Sequence, residues 1–74
     1  MISTMNEISM TVKRLRRLAG FTQKELADIS GVGKTSVFDI EKGKETVQLK
    51  TLLCVCEVLN IKIEIVSPVN FKEA

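Results

Sequence analysis

Lys34, Thr35, Ser36, Phe38 and Asp39 place a cation, two hydroxyls, an aromatic ring and a carboxylate within one short stretch. If that stretch is helical, Val37 and Ile40 take the inward face and leave these groups, with Gly33 ahead of them, turned outward. Such a set suits the edges of base pairs. A lysine donates to guanine O6 and N7, a threonine offers a methyl to thymine or a hydroxyl to a base edge or phosphate, and a carboxylate accepts from the cytosine amine. Phe38 has no polar atom, so it either touches a thymine methyl or lies half-buried against the following helix. Asp39 is repelled by phosphates unless it holds Lys34 or Lys42 in place. Gln23, the amides at the start of its helix, Lys42 and Lys44 are candidates for backbone phosphates, with Lys24, Arg14 and Arg17 as weaker ones. An exposed lysine is more often simply solvated, so these assignments depend on the elements that present them.

Other chemistry is poorly served. There is no histidine, no glycine-rich phosphate loop and no pair of carboxylates arranged for a cleft, so an enzyme is not expected. Cys54 and Cys56 stand too close in sequence to close a disulfide, and without histidine or a second cysteine pair no zinc site is expected. No metal or cofactor is implied. Free thiols fit a reducing cytoplasm. Met1 to Met10 lacks an apolar run and a basic start, so no secretory signal is expected, and no stretch is long enough to cross a membrane. The net charge of +2 is unevenly spread: residues 1–37 carry six basic groups against three acids, and residues 38–74 five against six. A polyanion would favour the first half.

The elements follow from periodicity and punctuation. Ile8, Val12, Leu15 and Leu18 or Ala19 recur at helical spacing and predict a first helix over about 6–19, capped by Thr4 and stopped by Gly20. Thr22-Gln-Lys-Glu25 is a capping box that opens a second helix ending near Ser30. Gly31 breaks it, and a third helix runs from Gly33 or Lys34 to Lys42, before Gly43. Leu49, Leu52, Leu53, Cys56 and Leu59 predict a fourth. Ile61 to Val66 then alternates apolar and polar, a strand signal over about 61–66, and 67–74 reads as a tail. The expected fold is all-α: one domain over 1–74, four helices and a short C-terminal β strand.

From Gln23 the offsets are four to Ala27, eight to Gly31, fourteen to Val37 and seventeen to Ile40. A small residue lets the next helix cross closely, glycine permits the turn, and the two apolar residues lock the angle. These are the offsets of a DNA-binding helix-turn-helix, here spanning 22–42. A plain pair of packed helices would match one or two of them by chance, not all.

Residues 12–60, with GFTQKELADISGVGKTSVFDIEKGK as the signature stretch, resemble the Cro and phage-repressor (XRE) helix-turn-helix family. That resemblance implies an ion pair between Arg16 and Glu41, with Arg16 also near a phosphate. From Glu41 through Ile65, the helix LKTLLCVCEVLN followed at once by a strand is similar to HipB-type antitoxins. This likeness implies a transcriptional repressor whose partner is a HipA-like serine/threonine kinase toxin. A stand-alone regulator of phage or restriction-modification type, or an interaction adaptor that has lost DNA binding, are the alternatives.

A lone strand cannot satisfy its own backbone, so Ile61, Lys62, Ile63, Glu64 and Ile65 are expected to pair between subunits. Antiparallel pairing centred on Ile63 sets Lys62 opposite the partner's Glu64 twice and gathers the isoleucines on one face. A chain this short buries only roughly 60% of its unfolded surface, which also favours a partner. The expectation is a homodimer on a palindromic double-stranded operator.

Overall fold

Local signals set where each helix begins and ends. The computed structural model describes residues 4–64 and contains α1 (Met5–Leu18), α2 (Gln23–Ser30), α3 (Lys34–Glu41) and α4 (Leu49–Val58). Thr4 caps α1 by accepting the Glu7 N–H at 3.2 Å. Thr22 and Glu25 form a reciprocal box at the head of α2: the Thr22 hydroxyl accepts the Glu25 N–H, and the Glu25 carboxylate accepts the Thr22 N–H.

All four helices close alike. Gly20, Gly31, Gly43 and Asn60 take left-handed backbone just beyond each end, with φ of 81, 73, 80 and 58°. The next residue then donates back to the last turn: Phe21 to the Arg16 carbonyl, Val32 to Ala27, Lys44 to Asp39 and Ile61 to Cys56, at 2.8–3.1 Å. Phe21, Val32 and Ile61 fold their side chains onto the core at these closures.

Val12, Leu26, Ala27, Val37, Ile40, Leu52, Val55 and Cys56 form that core. Burying each larger apolar side chain contributes about 1.5–3 kcal/mol. α3 packs against α1, α2 and α4, so the recognition segment is held from three directions.

The apolar faces differ from the sequence expectation in detail. Leu18 on α1 and Leu49 and Leu53 on α4 are exposed, while Ser9, Arg16 and Val55 take inward places. α4 meets its neighbours through Leu52, Val55, Cys56 and Leu59, a spacing that turns Leu49 and Leu53 to the margin. Ser9 is accommodated because its hydroxyl donates to the Asn6 carbonyl at 2.9 Å.

Among the described residues the fold is all-α. Ile61–Glu64 form neither helix nor strand. Ile61 is drawn onto its own core by the closure of α4, and Lys62, Ile63 and Glu64 are exposed. Ile65, Val66 and the tail 67–74 lie outside the described residues, so only the end of the expected pairing strand does. No described helix is long and apolar enough to cross a membrane.

Candidate nucleic-acid interface

α3 offers a face that no neighbour covers. Lys34, Thr35, Phe38 and Lys42 are exposed, and Ser36 and Asp39 are half-buried at its flank. Lys34, Phe38 and Lys42 recur every fourth residue and share one side of the helix. Gly33 is the N-cap in extended backbone and supplies no side-chain cap, so the first amides of α3 stay open to an anion.

The ridge is braced from behind by a buried polar knot. Arg16 donates from Nε to Glu41 Oε2 at 2.6 Å and from Nη2 to Oε1 at 3.1 Å, while its Nη1 donates to the Phe21 carbonyl at 2.8 Å. The two side chains retain 11% and 4% of their exposure, so this is an interior ion pair rather than a surface one. Hydrogen bonding to Glu41 raises the Arg16 pKa above its ordinary value, against the opposing effect of burial. Gln23 joins the knot by donating its amide to Glu41 Oε1 at 3.2 Å. The start of α2, the end of α3 and the last turn of α1 are thereby tied at one carboxylate. Each guanidinium nitrogen of Arg16 thus donates within the protein.

Two expectations about the ridge change. Asp39 does not hold Lys34 or Lys42: it pairs with Lys44, Nζ to Oδ2 at 3.6 Å. The closure of α3 turns Lys44 back over Asp39, whereas Lys34 and Lys42 belong to the Phe38 side. Phe38 is among the exposed large apolar side chains. Its ring is 46% exposed and carries the Lys42 ammonium 5.5 Å from its centroid, a cation–π contact.

The ridge stands between two hollows of about 190 Å³ each. One, toward α1 and α2, is lined by Lys13, Arg17, Gln23, Phe38 and Lys42 around the Arg16–Glu41 pair. The other, toward the loop before α4, is lined by Ser36, Asp39, Lys44, Thr46, Gln48 and Thr51. Lys13 was invisible as a site residue in the sequence, although its spacing from Arg16 and Arg17 puts all three on one side of α1. Thr46, Gln48 and Thr51 carry no local signal, because only the course of the loop brings them beside α3.

A helix-turn-helix family profile matches residues 12–66. The chain belongs to the XRE-type helix-turn-helix family of DNA-binding regulators. It is 36% identical over 67 residues to the uncharacterized HTH-type transcriptional regulator y4mF of Sinorhizobium fredii, covering 90% of this chain and 88% of that protein. The restriction-modification controller protein C.AhdI from Aeromonas hydrophila superposes with a TM-score of 0.68 at 28% identity, over 78% of this chain and 88% of that one. A chain of the HipA–HipB–O2–O3 complex superposes with a TM-score of 0.79 at 20% identity, over 93% and 97%, a likeness of fold. In this helix-turn-helix protein α2 and α3 are the two motif helices, and α3 carries exposed Lys34, Thr35 and Phe38.

Proposed function

We propose that this helix-turn-helix protein is a sequence-specific repressor that binds a palindromic operator as a two-fold dimer and serves as the antitoxin of a HipA-like kinase. The observation that carries the DNA-binding part is the α3 ridge: exposed Lys34, Thr35 and Phe38 on a helix fixed by the Arg16–Glu41–Gln23 knot. Fixing the ridge before binding avoids an ordering cost on the DNA. Lys34 and Thr35 are the base readers, with Ser36 and the Gly33 amide at their side. Gln23, Lys42 and Lys44 position the backbone.

A carboxylate on the ridge, Asp39, is the feature most in favour of an adaptor without DNA binding. Its pairing with Lys44 offsets the carboxylate charge and removes that objection. The strand proposed over Ile61–Ile65 would set two such ridges about 34 Å apart, one turn of B-DNA. The whole-length likeness to the HipB fold supports the antitoxin reading. The likeness to a restriction-modification controller supports a second one, a stand-alone controller using the same ridge.

Titration against the promoter of its own gene tests the reading. Specific binding should fall steeply as salt rises, and Lys34→Ala should weaken the promoter more than random DNA. No promoter binding at low salt would overturn it. Affinity capture from native cells then separates the two roles: a co-purifying kinase supports the antitoxin, and its absence supports the stand-alone controller.

A further inference from the structure

We infer that Phe38 reads one methyl group in the major groove, the C5-methyl of a pyrimidine, so that operator binding responds to whether that carbon is methylated. The inference rests on the DNA-binding reading and deepens it by giving the apolar side chain of the ridge a ligand and a regulatory consequence.

The placement of Phe38 calls for an apolar partner. Val37 and Ile40, its apolar neighbours on α3, are fully buried, whereas Phe38 keeps 46% of its exposure in the same helix. Lys34 and Lys42 stand one turn before it and one turn after, on the same side. The Lys42 ammonium lies 5.5 Å from the ring centroid and takes one face of the ring. This contact holds the ring to its own helix, and the exposed surface that remains to it is apolar. Asp39, next in the chain, is paired with Lys44 on the opposite flank. The carboxylate suited to a cytosine amine is therefore engaged away from the ring.

The chemistry of the groove identifies the ligand. Base edges there present acceptors, amino donors and one apolar group, the methyl at C5 of thymine. A phenyl ring pressed on a carbonyl or an amine strips its water and returns no hydrogen bond. Pressed on a methyl, it removes apolar surface from water on both sides. Thymine and 5-methylcytosine carry this methyl at the same ring carbon; uracil and unmodified cytosine lack it. Phe38 has no polar atom with which to tell the adjacent oxygen of thymine from the amine of 5-methylcytosine. It separates methylated from unmethylated pyrimidines, while Lys34 donates to guanine. Four residues of helix advance about 6 Å, on the order of two base-pair steps. The methyl therefore belongs within about two base pairs of the guanine read by Lys34.

The test is fluorescence anisotropy of wild type and Phe38→Ala on the promoter duplex, with one pyrimidine changed at a time. In one arm a thymine becomes uracil, and in the other a cytosine becomes 5-methylcytosine; neither change alters base pairing. At one position in each half-site, losing the methyl should weaken wild-type binding about fourfold, or gaining it should strengthen binding by the same factor, the worth of one buried methyl. That response should vanish in Phe38→Ala, while responses at other positions remain. Phe38→Leu, still apolar but smaller, should keep part of it, and melting curves check that both variants retain the fold. A response in the uracil arm assigns the position to thymine; one in the 5-methylcytosine arm assigns it to a cytosine whose methylation controls binding. Methyl responses that are equal in wild type and Phe38→Ala, or absent from both, would overturn the inference while leaving DNA binding in place. Failure of the wild type to bind the unmodified promoter would instead overturn the DNA-binding reading, and this inference with it.

Discussion

Lys44 bends back over the end of α3 to pair with Asp39, at the same closure where its own backbone N–H donates to the Asp39 carbonyl at 3.0 Å. At the other three helix ends the equivalent residue is Phe21, Val32 or Ile61, and the closing contact is apolar. Here an ion pair takes its place on the face proposed to meet DNA. A carboxylate that would repel phosphate is thus accompanied by a cation fixed through the backbone.

Replacing Asp39 with Asn should therefore cost little stability and strengthen indiscriminate DNA binding. The pair is largely exposed on the Lys44 side, and such pairs contribute about 0.2–1 kcal/mol. Removing the negative charge frees Lys44 and raises affinity for a random duplex, read by anisotropy at low salt. A loss of affinity confined to the promoter would show instead that Asp39 reads a base.

The Arg16–Glu41 pair should behave oppositely. Both side chains are nearly enclosed, and Glu41→Gln leaves the guanidinium buried without a countercharge. A loss of about 3–5 kcal/mol in urea unfolding is expected. Exchanging both residues at once, Arg16→Met with Glu41→Leu, should recover most of it, since no charge is then stranded. A small loss for Glu41→Gln alone would mean that water reaches the pair.

These two pairs mark where the sequence stops being legible. Helix ends are written locally: Thr22 with Glu25, then Gly31 and Gly43, fix α2 and α3 within a residue of expectation. The offsets from Gln23 through Ile40 give the motif, because packing two helices at a fixed angle demands those residue types. Burial of Ser9 and Arg16 is not legible, since a periodicity of apolar residues passes over them. Gln23 and Glu41 meet only when α2 and α3 are docked, so the amide reads as a free surface group until then. Phe38 is only partly legible: Lys42 lies over its ring from four residues on, but the hollow beside it is also walled by α1, far away in the chain. The strand signal from Ile61 competes with Asn60, whose left-handed turn sends Ile61 onto its own core.

The end of α2 and its cap hold two adjacent residues with opposite expected effects. The Ser30 hydroxyl is buried without a hydrogen-bond partner, so Ser30→Ala should stabilise by about 1 kcal/mol, combining relief of that burial with better helix propensity. Gly31 sits at φ 73° with open space where a side chain would go. Gly31→Ala should then cost about 1–2 kcal/mol from backbone strain alone. Thermal melts of the two variants should move in opposite directions; movement in the same direction would contradict the geometry.

The cysteines give a pH dependence. Burial raises the Cys56 thiol pKa above its ordinary value, so the folded state keeps the thiol neutral where the unfolded chain ionises it. With the folded pKa the higher one, the stabilising contribution is complete below the unfolded thiol pKa and declines as pH rises toward the folded one. Stability measured from pH 7 upward should fall more steeply beyond about 8.5 in the wild type than in Cys56→Ala. A thiol reagent should label half-buried Cys54 readily and Cys56 only on unfolding. Equal labelling rates for the two would overturn the assignment.

The proposed dimer can be separated from the fold by Ile63. Its side chain is 39% exposed in the single chain, unlike Ile61, which the core already holds. Ile63→Lys therefore removes no intrachain core contact and should leave helical content and the Arg16–Glu41 knot intact. In an antiparallel strand pair centred on this residue, it would place two ammonium groups opposite each other and replace the apolar centre of the pairing. Sedimentation should then show a monomer with wild-type circular dichroism and much weaker promoter binding, because one ridge alone contacts half an operator. A variant that stays fully dimeric would move the interface away from residues 61–65, toward exposed apolar side chains such as Leu49 and Leu53 on α4.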